Sequence, residues 1–335
     1  MDSPDDTATA LRLAVESLEA GREVVLATVL STFGSSPRPP GSLWVIVDPD
    51  DPRPAMRGSV SGGCVEDDLL DWLRGPEGGR APTRRRYDGQ THPGLPCGGT
   101  LDVLVERPRS AADVRPALAA VEGRGAVWRV VDPASGTVGW QSPRDEGEGA
   151  RLPDEPRLRD GRILQPFGPG WRLLIVGAGP VGEHLARQGQ SLGFEVAVCD
   201  PRPDADLAVP GVALDRRAPE RALADHPVDN RTAVVAVAHD PRVDDLALID
   251  ALDSAAFYVA AMGSGRTSEA RRERLASMGV DVARLHAPAG LDIGSHTPAE
   301  IAVSIAAELV AARRLARRAA RLPTEVVADV RAAEH

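Results

Sequence analysis

Residues 172–182 read Arg-Leu-Leu-Ile-Val-Gly-Ala-Gly-Pro-Val-Gly, and this stretch decides the fold of the second half of the chain. An apolar run, Leu173 to Val176, opens directly into Gly177-x-Gly179-x-x-Gly182, and a helical pattern follows from Val181 to Leu192. A strand, a glycine turn and a helix in that order predict the first βαβ unit of a dinucleotide-binding sheet. Gly177 then allows the tight turn, Gly179 lets a phosphate approach the backbone, and Gly182 lets the helix pack close. Asp200 ends the next apolar run, FEVAVCD, at the position from which a carboxylate accepts from a ribose hydroxyl.

Outward from this loop, TAVVAVAHD, AFYVAAMGS and their intervening helical segments continue the alternation, which predicts a doubly wound parallel sheet. His239 and Asp240 fall where such strands end and ligands bind, with a structural hydrogen-bonding pair as the other reading. Arg266 lies at the end of a further strand, placed to clamp a phosphate. Thr297-Pro298-Ala299-Glu300 is a capping box that starts a long last helix. His286 and His296 match no helix-borne metal spacing, so no zinc site is expected.

Before residue 170 the pattern changes. A helix is expected over Thr7–Ala20, strands over Val24–Leu30 and Leu43–Val47, and between those strands a Pro- and Gly-rich loop carrying Arg38. Two further turns bear cysteine: Gly58-Ser-Val-Ser-Gly62-Gly63-Cys64-Val-Glu66, which runs into a helix, and Gly94-Leu-Pro-Cys97-Gly98-Gly99-Thr100, which runs into the strand LDVLVE. Paired glycines leave N–H groups unshielded, so both turns are expected to face an anion or cofactor and to display their thiols; burial as small core residues is the alternative. Glu66, Asp67 and Asp68 oppose activation of Cys64 by the helix dipole. The reading divides the chain into a cysteine-bearing domain (1–141), a linker (142–169), a Rossmann-like domain (170–312) and a helical tail (313–335).

Composition narrows the function. The chain of 335 residues carries 49 acidic against 39 basic residues, a formal charge of -10, which disfavours nucleic acid. It contains no lysine, which excludes a phosphate-loop Lys, a Schiff base and a Tyr-Lys reductase pair. The acidic start lacks a secretory pattern and no apolar run reaches membrane-spanning length, so a cytoplasmic protein with three reduced cysteines is expected.

The motifs GSSPRPPG, GSVSGGCVE, GLPCGGTLDV, GAGPVG, AHDPRVD, AAMGSGRT and HAPAGLDIGSHTPAE, in this order from about Leu26 to Arg314, resemble the XdhC/CoxI family. The resemblance implies an N-terminal α/β domain, a Rossmann-like domain, and an accessory protein rather than a catalyst. Such a protein holds molybdenum cofactor, supports its sulfuration by a cysteine desulfurase and delivers it to a molybdenum hydroxylase apo-enzyme, commonly as a homodimer. It also implies that Cys64 and Cys97 touch the cofactor, with Gly62, Gly63, Gly98 and Gly99 shaping the cradle. Gly265 and Pro241 depart from the family's usual basic and polar residues, which weakens any phosphate role for Arg266. An NAD(P)-dependent oxidoreductase using the glycine loop, or another use of an adenine nucleotide there, is the alternative. A pure interaction module is a third.

Overall fold

The computed structural model describes residues 4–34, 38–76, 78, 81–88, 99–143, 155–226 and 228–319. The chain forms two compact units, the first within residues 1–169 and the second over 170–319.

In the first unit, α1 (Pro4–Glu19) precedes β1 (Val24–Phe33), β2 (Leu43–Val47), β3 (Ala55–Gly58), α2 (Glu66–Arg74), β4 (Thr83–Asp88) and β5 (Thr100–Glu106). The strands make an antiparallel sheet in the order β3-β2-β1-β5-β4. Helix α2 exists because Leu69, Leu70 and Leu73 share one face, which they bury together with Val65 against Val25, Ala27, Val29, Tyr87, Leu101 and Val103 of the sheet. The opposite face of the sheet packs on Leu11, Ala14 and Val15 of α1. Each fully buried aliphatic side chain contributes about 1.5–3 kcal/mol.

A short turn at Ala111–Asp113 leads to α3 (Arg115–Glu122), then β6 (Val127–Asp132), β7 (Thr137–Gln141), β8 (Arg157–Arg159) and β9 (Arg162–Phe167). These four strands form a second antiparallel sheet, β7-β6-β9-β8. The linker expected over 142–169 is corrected here: Ile163 and Leu164 bury in cores and pair with Val131 and Val130 of β6, so this end of the stretch belongs to the folded unit.

The second unit runs β10 (Arg172–Val176), α4 (Pro180–Ser191), β11 (Glu195–Cys199), β12 (Leu214–Asp215), α5 (Pro219–Asp225), β13 (Thr232–Ala236), α6 (Pro241–Asp253), β14 (Tyr258–Ala261), α7 (Gly265–Ser277), β15 (Leu285–His286) and α8 (Pro298–Ala319). Its six strands are all parallel in the order β12-β11-β10-β13-β14-β15, the doubly wound sheet that the alternation predicts. Leu173 and Ile175 face α4 and α8, while Leu174 and Val176 face α5 and α6. Both faces are therefore covered, which is why these strands are apolar throughout. The capping box opens α8 as expected: Glu300 accepts from the N–H groups of His296 and Thr297, and Thr297 Oγ1 accepts from Glu300 N at 3.3 Å.

Arginine supplies much of the stitching between segments. Arg272 donates to the carbonyls of Val282, Leu285 and Ala287, and Arg284 to those of Leu252, Ser254 and Ala256.

Candidate functional site

Strand direction settles where the chemistry of the first unit gathers. Thr28 pairs with Leu43, Trp44 with Gly58, and Thr100 with both Phe33 and Asp88. The β1–β2 connection, the β3–α2 turn and the chain leading into β5 therefore meet one edge of the sheet. Arg38, half-buried, lies on the first of these connections, Cys64 on the second, and Gly99, buried, on the third. Cys97 and Gly98 lie outside the described residues, but Cys97 is three residues from Thr100, within about 10 Å of chain reach.

The Cys64 turn is built around a carboxylate. Glu66 Oε1 accepts from Ser59 Oγ at 2.6 Å, Ser61 N at 3.0 Å and Val60 N at 3.1 Å. Its Oε2 accepts from Gly63 N at 3.0 Å, Val65 N at 3.2 Å and the Ser61 hydroxyl. Burial alone would raise this carboxyl, but the two serine hydroxyls and the loop N–H groups outweigh it and hold it down at about 2. Gly62 N donates to Ser59 Oγ and Cys64 N to Ser61 Oγ. The unshielded N–H groups that the sequence leads one to expect at Gly62 and Gly63 are thus taken by the protein itself. The Cys64 thiol is free and exposed on a turn whose N–H groups from Val60 to Val65 are all hydrogen-bonded within the protein. Cys199, by contrast, is a core residue whose thiol burial pushes up to about 12.

In the second unit the three loop glycines divide their work as the motif requires. A methyl group on Gly177, whose φ is +116°, would lie 2.5 Å from Ala238 N, and one on Gly182 would lie 2.0 Å from Gly177 O. One on Gly179 would meet nothing within 4 Å. The face of the loop at Gly179, where α4 begins, is therefore open to an anionic ligand.

Asp200 is placed differently from the sequence reading. It is wholly buried; Oδ2 accepts from Ala178 N at 2.8 Å, and Oδ1 accepts from Arg202 N at 3.1 Å and Arg202 Nε at 2.9 Å. The Arg202 fork closes on both oxygens and also donates to Ala238 O. Against the upward push of burial, these bonds hold Asp200 below the usual carboxylate range. The hydroxyl acceptor expected for NAD is committed to an internal ion pair, so the local geometry gives no support to a ribose contact there.

The other sheet-edge residues separate into exposed and locked groups. His239 is exposed and adopts the left-handed conformation with φ +60°, and Asp240 caps α6 by accepting from Arg242 N, its carboxyl lowered to about 2 by Arg242. Arg266 is exposed, without a partner among the described residues. Just inside, Asp244 accepts from Ala238 N and Arg271 and is raised to about 6 by burial. Arg271 continues to Asp245 and to Met262 O, fixing the turns after β13 and β14.

Sequence reasoning missed Glu308 on α8. It accepts from Tyr258 Oη at 2.6 Å and Gly290 N at 2.7 Å, and shares a 2.7 Å hydrogen bond with His286 Nδ1. Three parts of the HAPAGLDIG region and β14 are tied to one carboxylate that lies 18 residues beyond Gly290. Among the described residues no group of three His, Cys, Asp or Glu is arranged to hold a metal ion, and no helix is long and apolar enough to cross a membrane.

The first unit thus presents one exposed thiol, and the second is a Rossmann-type unit with an open glycine loop, the two parts of an α/β protein. Residues 17–88 match the XdhC and CoxI family, and residues 173–309 match the XdhC Rossmann domain. The chain belongs to the XdhC and CoxI family. It is 28% identical over 320 residues to the molybdenum cofactor insertion chaperone PaoD of Escherichia coli, covering 92% of this chain and 89% of that one. It is 27% identical over 328 residues to a probable xanthine dehydrogenase subunit of Bacillus subtilis, covering 89% and 95%. Its fold resembles a crystal structure of a xanthine dehydrogenase from Bacillus halodurans with a TM-score of 0.65 at 23% identity, covering 91% of this chain and 96% of that one. The relatives' names support a maturation factor for a molybdenum enzyme.

Proposed function

We propose that this protein binds molybdenum cofactor, protects it while a cysteine desulfurase supplies its terminal sulfur, and delivers it to a molybdenum hydroxylase. The observation that carries the reading is Cys64, an exposed thiol on a turn whose backbone donors are all consumed internally, so that the sulfur is what the turn offers a ligand. A soft thiol suits molybdenum or its sulfur ligands. Cys97, Gly98 and Gly99 complete the site from the third connection, and Arg38 from the first. The cofactor is an anionic pterin phosphate, and the open face at Gly179 suits a phosphate, including that of a nucleotide-extended form. Gly177 and Gly182 shape that loop, and His239, Asp240 and Arg266 flank it on the same sheet edge. When bound, the cofactor supplies the metal centre of the recipient enzyme; the chain's own residues hold and shield it. A cytoplasmic homodimer accords with this role.

The test is to produce the full chain with its partner hydroxylase and quantify molybdopterin by oxidation to its fluorescent derivative. Cys64→Ala and Cys97→Ala should each lower the cofactor retained by purified accessory protein, and the partner should accumulate folded with sulfur-poor or empty sites. Normal retention and full partner activity in the double variant would refute the proposal.

A further inference from the structure

Helix α8 buries Ala302, Ile305, Ala306 and Leu309 in the core of the second unit. Glu300, Val303, Ala307, Val310 and Arg314 follow one another in alternating steps of three and four residues, and so share the opposite side. Between its two charged ends this side is apolar, where an exposed helix face is ordinarily polar. Val303 is 49% exposed and Val310 37%. Leu291, whose N–H donates to Ser304 O and whose carbonyl accepts from Ser304 Oγ, stands beside it, and Ile293 is exposed two residues on. With Leu315 these make half of the ten large apolar side chains exposed among the described residues. Single apolar side chains are ordinary on a surface, but a group gathered on one helix and the loop bonded to it marks an interface.

The charges at the two ends select what covers it. Glu300 is exposed; its Oε2 takes the capping N–H groups, and its Oε1 has no partner among the described residues. Arg314, also exposed, has no carboxylate partner among them. Ala307 lies midway, seven residues from each. A two-fold axis at Ala307 therefore sets Glu300 against Arg314 of the partner subunit, twice over, and Val303 beside Val310 of the partner subunit. The small side chain of Ala307 lets the two helices approach closely at the axis. A parallel pairing would oppose like charges at both ends, which repels. From Glu300 to Arg314 the helix runs about 21 Å, so Leu291 and Ile293 widen the contact toward the roughly 800 Å² per partner of a stable interface.

We propose that α8 pairs antiparallel with α8 of a second copy of this chain, about a two-fold axis at Ala307 and with a Glu300–Arg314 ion pair at each end. This rests on the homodimer of the reading above and assigns its surface.

Sedimentation equilibrium of the full chain over a range of concentrations tests it. The wild type should approach twice the mass of the chain. Arg314→Glu breaks both ion pairs from an exposed position and should weaken the dimer roughly tenfold or more, and Glu300→Arg should do the same. Mixed in equal amounts, these two variants should dimerise as tightly as wild type, because each then meets its opposite. Val303→Arg combined with Val310→Arg, both at exposed positions, should give a monomer with the circular dichroism of the wild type. A wild type that stays monomeric at every concentration overturns this proposal and the homodimer alike. A dimer that persists in the Val303→Arg, Val310→Arg chain, or that Arg314→Glu leaves unchanged, overturns the interface while the homodimer stands; cofactor retention through Cys64 is judged by its own assay.

Discussion

Replacing Glu66 by Gln keeps the size of the side chain but turns one acceptor oxygen into a donor, in a pocket where four N–H groups and two hydroxyls converge. The fall of its pKa from the ordinary 4.5 to about 2 corresponds to roughly 3 kcal/mol at about 1.36 kcal/mol per pH unit. The carboxylate is only half-buried, so screening leaves roughly 2 kcal/mol. Because the folded-state value is the depressed one, this stabilisation is complete above pH 4.5 and disappears as the pH falls through 2. Urea unfolding followed by tryptophan fluorescence suits the test, since Trp44, Trp72, Trp128 and Trp140 all report on the first unit. Glu66→Gln should lose roughly 2 kcal/mol at pH 7 and visibly less at pH 3, and Cys64 should react faster with a disulfide reagent as the turn loosens. A loss below about 0.5 kcal/mol at pH 7, or one unchanged at pH 3, would show that the carboxylate does not organise the turn.

Gly177→Ala should destabilise the second unit by more than about 2 kcal/mol in calorimetry, since a methyl group there clashes with Ala238 at φ +116°, whereas Gly179→Ala should leave the melting temperature unchanged and weaken only phosphate-bearing ligands. Arg202→Ala strands a buried carboxylate and should cost roughly 3–5 kcal/mol, while NAD(H) added to wild type should not raise its melting temperature. Glu308→Gln should cost about 1–3 kcal/mol at pH 7 by breaking the acceptor set for Tyr258, His286 and Gly290. Burial opposes it, but those three partners hold Glu308 low, so the wild-type advantage should fade as the pH drops below the carboxylate range.

The second unit was legible because its periodicity is local: apolar strands, glycine turns and capped helices succeed one another along the chain. The first unit was less so. Strand β4, Thr-Arg-Arg-Arg-Tyr-Asp, reads as a charged stretch, and only in three dimensions does Arg84 reach Asp102 and Arg85 lie over Trp72. Strands β8 and β9 are obscured by the proline and glycine around them: β8 pairs with β9, and the pairing of β9 with β6 joins residues more than thirty positions apart. At the site, Cys64 could be picked out from its glycines, but the part played by Glu66 could not, because a carboxylate beside a thiol looks repulsive until the turn is folded around it. Asp200 was legible as a position and misleading as a role: its partner Arg202, two residues on, looks like any surface arginine.

The forks of Arg272 and Arg284, each spanning three carbonyls, bear on how this lysine-free protein should respond to its solvent. A guanidinium bonded to carbonyl oxygens holds by short, directed contacts with dipoles rather than by attraction to a distant opposite charge. Raising ionic strength, which screens exposed ion pairs, leaves such clamps largely intact. A single ammonium cannot reproduce the flat fork, so recoding these two positions to lysine would loosen the β15 side of the sheet even though every charge was conserved.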